Sequence, residues 1–410
     1  MDAYLCVGGR VIQVPKRIDG EFVEKLLEWA SNNKVNDVVI ESDSPLWAKR
    51  LGVMEQLSER NISQAEVREV LQSFYQQSGP DTLVTGEYIK FPFEVLAKDE
   101  TSYRYRVTAT GVQGERNDRG IEIIFRPFPD EAPTPAQLSL PKDFVQAFNS
   151  SYGVIYVTGP TGSGKSTSFA SVLTERIKNK SERIVTFEDP IEFDLKKIKD
   201  RKANVVQSEV PFHLSTYEKA THNLLRRSPD IVFFSEVRGT EVGRELLRIA
   251  NSGHLVGTTL HANSCEMTLP RFVDMFKHDE KAKVTADLVE TTVGILNQRL
   301  VKTSDGKNRV GVFSSLIFDE SIRDKIYSEV SSDYSKLKSV MSKMISKKGL
   351  PFIEDLRDKF RTGLIEINSF EKLTRQFGDE RDIQEIRNQA KSHFERGFIS
   401  EDEMKVYRNK

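Results

Sequence analysis

Gly159-Pro160-Thr161-Gly162-Ser163-Gly164-Lys165-Ser166 lies between an apolar run, Val154-Ile155-Tyr156-Val157, and a segment from Thr167 to Lys178 that reads as a helix. The pattern is G-x-x-x-x-G-K-[ST] in a strand-loop-helix setting, and each residue type has a physical task. Glycines let the backbone curl until its N–H groups converge on phosphate oxygens, and the helix behind them adds the positive end of its dipole. Lys165 neutralises charge that amides cannot, and Ser166 offers a hydroxyl to Mg²⁺. At average residue usage the pattern arises by accident about once in a hundred chains of this length. Gly159, Pro160, Thr161, Gly162, Ser163, Gly164, Lys165, Ser166 and Thr167 are therefore the expected triphosphate-binding segment.

The rest of the composition narrows the setting. A chain of 410 residues is long enough for two or three domains, each with its own core. With 60 basic and 61 acidic residues, no global charge points to nucleic acid or to an acidic surface, so direct nucleic-acid binding is not expected. The two cysteines, Cys6 and Cys265, are far apart and form no C-x-x-C pair. That excludes a cysteine zinc site and fits a reducing cytoplasm. No basic segment followed by an apolar one opens the chain, and no apolar run approaches ~18 residues. The expectation is a soluble chain that touches a membrane only through partners.

Residues 1–130 read as a small α/β domain. Phe22, Leu26, Leu27 and Trp29 recur at near-helical spacing, and Asp37-Val38-Val39-Ile40 reads as a strand. Ser63-Gln64-Ala65-Glu66 has the capping-box pattern ahead of Val67, Val70, Leu71 and Phe74. Tyr103 to Ala109 and Ile121 to Arg126 predict a hairpin with one arginine-bearing face, Arg104 and Arg106, which is either a solvated face or a functional one. Five prolines between Pro127 and Pro141 predict an extended linker over 131–141.

From 142 to 320 strands and helices alternate, which predicts a mostly parallel sheet with both faces covered. Ligands sit at the carboxyl ends of strands in such sheets, and three strand ends carry polar residues. Phe187 runs into Glu188-Asp189-Pro190, Phe234 into Ser235-Glu236, and Leu260 into His261-Ala262-Asn263-Ser264. One acidic residue after a strand is ordinarily a helix cap. Three such ends beside one phosphate loop suit ATP hydrolysis, which needs Mg²⁺, an oriented water and compensating positive charge. Glu236 suits the Mg²⁺ shell with Ser166, and Glu188 suits the attacking water, although the two roles are interchangeable at this level. His261 stands where a γ-phosphate sensor belongs.

Together these segments resemble four motifs of the secretion ATPase superfamily, whose members drive type IV pili and type II and type IV secretion. Gly159 to Ser166 resembles the Walker A motif, Thr186 to Phe193 the Asp box, Leu225 to Gly239 the Walker B segment, and Gly253 to Ser264 the His box. Val35 to Ile40 and Tyr103 to Val107 are similar to strand motifs of the pilus-retraction branch, and Gln298-Arg299-Leu300-Val301 with Asp305-Gly306-Lys307 to the segment closing its motor domain. The absence of a tetracysteine site sets aside the assembly and type II branches. The pattern is most similar to the DotB/TraJ ATPases of type IVB secretion and plasmid conjugation systems.

The resemblance implies a P-loop NTPase (RecA-like) motor domain at 142–320, a smaller N-terminal PAS-like α/β domain and a helical C-terminal region at 321–410. It also implies ATP and Mg²⁺ as cofactors, nucleotide held between the two lobes, and a homohexameric ring at the cytoplasmic face of an inner-membrane secretion or conjugation complex. Glu188 and Glu236 are then catalytic, and His254 and His261 are the His-box histidines. Arg104, Arg106, Arg226 and Arg238 are candidate phosphate contacts, from the same or a neighbouring subunit. One departure is Ser235, where relatives usually have glycine. Beyond residue 320, Phe360 to Ile365 resembles Phe394 to Ile399, each a helix end with a C-cap glycine. This region either packs on the motor or docks secretion partners. The competing functional readings are a RecA-like nucleic-acid translocase and a nucleotide-gated scaffold with negligible turnover. The first is disfavoured by the neutral charge, and the second by the joint presence of Glu188 and Glu236.

Overall fold

The computed structural model describes residues 3–378, apart from 8–9, 51–52, 98–99, 116–117, 130, 222–223, 307 and 331–332. The second copy of the C-terminal repeat, at 394–399, lies outside the described residues. The chain divides into two compact units, Met1–Glu131 and Ala132–Lys410.

The first unit contains β1 (Ala3–Val7), β2 (Arg10–Val14), α1 (Gly20–Asn32), β3 (Asp37–Glu41), β4 (Trp47–Arg50), β5 (Val53–Gln56), α2 (Gln64–Phe74), α3 (Gly79–Val84), β6 (Ile89–Leu96), β7 (Ser102–Gln113) and β8 (Arg119–Pro127). β1 and β2 form a hairpin, and the other six strands form an antiparallel sheet in the order β5-β4-β3-β8-β7-β6. α1 begins at Asp19, whose carboxylate accepts from the Phe22 N–H at 2.9 Å. α2 begins at Ser63 in a complete capping box with Glu66. Both helices bury one stripe, Val23, Leu26 and Leu27 from α1 and Val67, Val70 and Leu71 from α2, in a core shared with the sheet. Along β7, Tyr105, Val107 and Ala109 enter that core while Arg104 and Arg106 alternate onto the half-exposed face. Asp37, on β3, is buried and accepts two hydrogen bonds from Arg126, at 2.5 and 3.0 Å.

The second unit contains α4 (Lys142–Ala147), β9 (Gly153–Thr158), α5 (Lys165–Asn179), β10 (Arg183–Glu188), β11 (Asn204–Glu209), α6 (Tyr217–Thr221), β12 (Ile231–Phe234), α7 (Thr240–Asn251), β13 (Leu255–Leu260), α8 (Thr268–Val273), α9 (Lys281–Thr291), β14 (Thr292–Lys302), β15 (Arg309–Ile317) and four helices, α10 (Glu320–Val330), α11 (Leu337–Lys348), α12 (Phe352–Arg361) and α13 (Ile367–Phe377). Its sheet runs β11-β10-β12-β13-β9-β14-β15, every neighbouring pair parallel except β14 and β15. β9, β12 and β13 are buried along their whole length, which is why they read as unbroken apolar runs. One face packs against α5 through Phe169, Leu173 and Ile177. The other is covered by α7, α9, α10 and α11. This is a RecA-like α/β core closed by an antiparallel hairpin.

Two features differ from the sequence reading. Residues 134–140 are turned rather than extended: Leu138 N–H donates to Thr134 O (3.1 Å) and Leu140 N–H to Pro135 O (3.0 Å), and Leu140 is buried with the second unit's core. Proline fixes a φ near −65°, which turns share with extended chain. β14 and β15 do not read as strands in the linear chain, because Asn297, Gln298 and Arg299 interrupt the apolar pattern of β14. Helices α12 and α13 pack on this hairpin through Leu356, Phe360, Ile367 and Phe370 against Val301 and Val312. α12 stops at Gly363 (φ +75°), whose N–H donates to Phe360 O while Leu364 N–H reaches Lys359 O, both at 2.9 Å.

Candidate functional site

The loop from Gly159 to Gly164 leaves the carboxyl end of β9 and feeds α5, which starts at Lys165. Its glycines are dictated by space and by backbone conformation. A Cβ on Gly159 would stand 2.3 Å from the Gln298 carbonyl, and Gly164, the N-cap of α5, has φ +85°. Gln298 Nε2 donates to Ser163 O at 2.6 Å, so β14 braces the loop from behind. Lys165 Nζ donates to Gly159 O and Pro160 O, both at 3.0 Å. Burial lowers the Lys165 pKa, opposed by the charges of Glu236 and Glu192. The Ser163 hydroxyl is buried without a protein partner, an orphan that a phosphate oxygen would satisfy.

Because β9, β10, β12 and β13 are parallel neighbours, their carboxyl ends open on the same side. Lys165, Ser166, Glu188, Glu236, Arg238 and His261 line one cavity of about 250 Å³ there. Glu188 is 8% exposed and its Oε1 accepts from Thr186 Oγ1 (2.5 Å) and Gln207 Nε2 (2.9 Å). Burial pushes its pKa up to about 7 against those two donors, with Glu192 and Glu209 adding to the rise. Glu236 is the more accessible carboxylate, accepting from Arg238 Nε at 2.8 Å and facing His261 Nε2 at 3.3 Å. Arg238 also reaches Asp189 Oδ2 at 3.4 Å. The Ser235 hydroxyl joins two walls of the cavity, accepting from the Asp189 N–H at 3.2 Å and pairing with Tyr217 Oη at 2.8 Å.

Mg²⁺ prefers hard oxygen donors and keeps several waters, taking one or two protein ligands plus phosphate oxygens in nucleotide sites. The Ser166 hydroxyl and Glu236 carboxylate fit that demand, since both line the cavity. Among the described residues no cluster of three or more metal-ligating side chains competes with them.

Other sequence candidates stand elsewhere. His254 precedes β13, with its Nδ1 3.0 Å from Ser252 Oγ, so the six residues of the strand, ~20 Å, separate it from His261. Arg226 is exposed in a 3-10 turn, Leu224–Arg227, ahead of the amino end of β12. Neither lines the cavity. Arg104, whose guanidinium lies over the Phe128 ring, and Arg106 belong to the first unit. Conversely, the sequence reading gives no individual role to Thr186, Gln207 or Tyr217. Thr186 and Gln207 are register partners on β10 and β11, and Gln207 also accepts from Leu195 N–H (2.8 Å) and donates to Phe193 O (3.0 Å). The only linear signal of Gln207 is a polar residue directly after the apolar pair Val205-Val206.

Comparison with known proteins is consistent with this geometry. A family described as "Type II/IV secretion system protein" matches residues 136–409. The chain is 34% identical over 223 residues to a twitching motility protein of Neisseria gonorrhoeae, a match covering 54% of this chain and 58% of that relative. It is 34% identical over 244 residues to the type IV pilus retraction ATPase PilT of Pseudomonas aeruginosa, covering 58% of this chain and 70% of the relative. Among solved structures, the ATPase DotB of Legionella pneumophila superposes with a TM-score of 0.78 at 31% identity, covering 88% of this chain and 97% of the other. The pilus retraction motor PilT with bound ADP gives 0.73 at 28% identity, covering 85% and 96%.

Proposed function

The chain belongs to the type II/IV secretion system protein family, and from that premise we propose that it is an ATP-hydrolysing motor of a secretion or conjugation machine. The observation that carries the reading is the convergence of Lys165, Ser166, Glu188, Glu236 and His261 on one cavity beside the phosphate loop. The phosphates of ATP lie on the loop N–H groups and the amino end of α5, with Lys165 against the terminal pair. Ser166 and Glu236 would hold Mg²⁺, which would supply neutralisation of phosphate charge.

Glu188, kept in place by Thr186 and Gln207, orients the attacking water and accepts its proton. The water oxygen bonds to the γ-phosphorus as the bond to the β-phosphate oxygen breaks, leaving ADP and phosphate. A pKa of about 7 suits a base working near neutrality. His261 and Arg238, both against Glu236, report whether the γ-phosphate is present.

At the level of assembly, we propose a homohexameric ring on the cytoplasmic face of an inner-membrane complex of the type IVB secretion or conjugative kind, with pilus retraction as the related alternative. The structural similarity to DotB supports the first and that to PilT the second. Among the described residues no helix is long and apolar enough to cross a membrane, and attachment through partners is part of the same proposal. Arg104, Arg106 and Arg226 stay in this proposal as candidate phosphate contacts, from the same or a neighbouring subunit. Phosphate release from ATP·Mg²⁺ tests the reading: the wild-type chain turns over and Lys165→Ala does not. Wild-type turnover in Lys165→Ala would show the site to be elsewhere, and stimulation several-fold by single-stranded DNA would favour a translocase.

A further inference from the structure

Between β10 and β11 the chain reads Asp194-Leu195-Lys196-Lys197-Ile198-Lys199-Asp200-Arg201-Lys202-Ala203, five cations in seven positions within a chain whose formal net charge is -1. All five are exposed. Among the described residues, the side chains of Lys196, Lys199, Arg201 and Lys202 make no ion pair. A frayed loop would explain such exposure trivially, but this one is pinned. Leu195 and Ala203, each 4% exposed, are buried in the core beneath α5. Leu195 N–H donates to Gln207 Oε1, and Lys202 N–H donates to Ile177 O at 2.9 Å. That second bond sets the end of the loop against the last turn of α5, where Lys178 and Lys180 extend the positive surface. Like charges held together on a fixed platform repel, and Asp200 is the one acidic residue among positions 196–202.

We propose that this loop is a docking surface for an anionic lipid bilayer. Four of the five cations are lysines, point charges that suit a diffuse layer of phosphate headgroups, whereas carboxylates of an acidic peptide favour the arginine fork. No aromatic residue lies between 194 and 203, so the stacking platform that single-stranded nucleic acid requires is missing. Clusters of four to eight Lys and Arg hold a bilayer in this way, reversibly and with strong salt dependence. A ring of such subunits would present the surface several times over, which rests on the assembly proposed above. Vesicle binding itself does not depend on ATP turnover.

The test is vesicle flotation with the full chain, read by the bound fraction. The chain should float with phosphatidylcholine vesicles containing about a third phosphatidylglycerol, not with phosphatidylcholine alone, and salt should release it. Replacing all five cations with glutamine should lower partitioning by ~10³, about fivefold per charge. Lys199→Glu with Arg201→Glu, a smaller change in case the fivefold variant fails to fold, should lower it by ~25-fold or more. Failure of the wild type to float, or undiminished flotation of either folded variant, overturns the proposal. So does binding of single-stranded DNA or polyglutamate that is tighter than vesicle binding and is lost in the same variants.

Discussion

Replacing Gln207 with leucine removes one of the two donors to Glu188 Oε1, the amide at 2.9 Å, and leaves Thr186 as the other. A hydrogen bond to a charged group contributes about 1.5–3 kcal/mol, and 1.36 kcal/mol corresponds to one pH unit, so the acid limb of kcat should move up by about one to two units. From a starting point of about 7, the ionised fraction at neutral pH falls from about half to ~1–10%. Turnover at pH 7 should therefore drop ~5- to 50-fold and recover above pH ~9. The assay is steady-state phosphate release at saturating ATP·Mg²⁺ across about pH 5 to 10, which spans the starting acid limb and the shifted one. Leucine also leaves Phe193 O and Leu195 N–H without their side-chain partner, so a thermal melt must accompany the profile. A uniform loss of kcat with the acid limb still near 7 would refute the positioning role and leave Gln207 a brace for the loop. The same burial has a sign for stability. Because the folded Glu188 holds its proton up to about pH 7 while the unfolded group releases it near 4.5, its contribution becomes unfavourable as pH rises between those values.

Three further outcomes are expected. Tyr217→Phe and Ser235→Gly each remove one side of the 2.8 Å hydroxyl pair and should lower kcat ~2- to 10-fold with little change in KM, the scale of one neutral hydrogen bond. The double variant should be no worse than the more severe single one, and additive losses would show that the two hydroxyls act separately. Glu236→Gln should retain nucleotide, measured by fluorescence titration, while hydrolysis falls by ~10² or more, and unchanged turnover would remove Glu236 from the chemistry. Arg104→Ala and Arg106→Ala should reduce kcat far more than nucleotide affinity if they contact phosphate during turnover, whereas equal loss of both would indicate damage to the first unit's sheet.

Much of the motor was legible because buried parallel strands need apolar residues on both faces. Val154 to Val157, Ile231 to Phe234 and Leu255 to Thr259 stand out in the linear chain for that reason, and the polar residues that follow them fall at one end of the sheet. The capping box at Ser63 and the C-cap at Gly363 were legible because they are local chemistry. What stayed hidden depends on register and direction. Gln207 faces Glu188 only because Thr186 pairs with it across β10 and β11. His254 and His261 read as one motif, yet they flank opposite ends of β13. The segment of β14 and β15 is legible as a family resemblance but not as a hairpin, because the residues bracing the phosphate loop, Gln298 above all, are polar in the interior of a strand.

A crystal structure of the chain with Mg²⁺ and a non-hydrolysable ATP analogue bears most directly on the catalytic reading. The expected result is a γ-phosphate against Lys165 with the carboxylates of Glu188 and Glu236 and the His261 ring all within one water of it. An analogue bound at Lys165 with those three side chains turned away or remote would contradict the motor reading and leave a phosphate-binding fold without hydrolytic machinery.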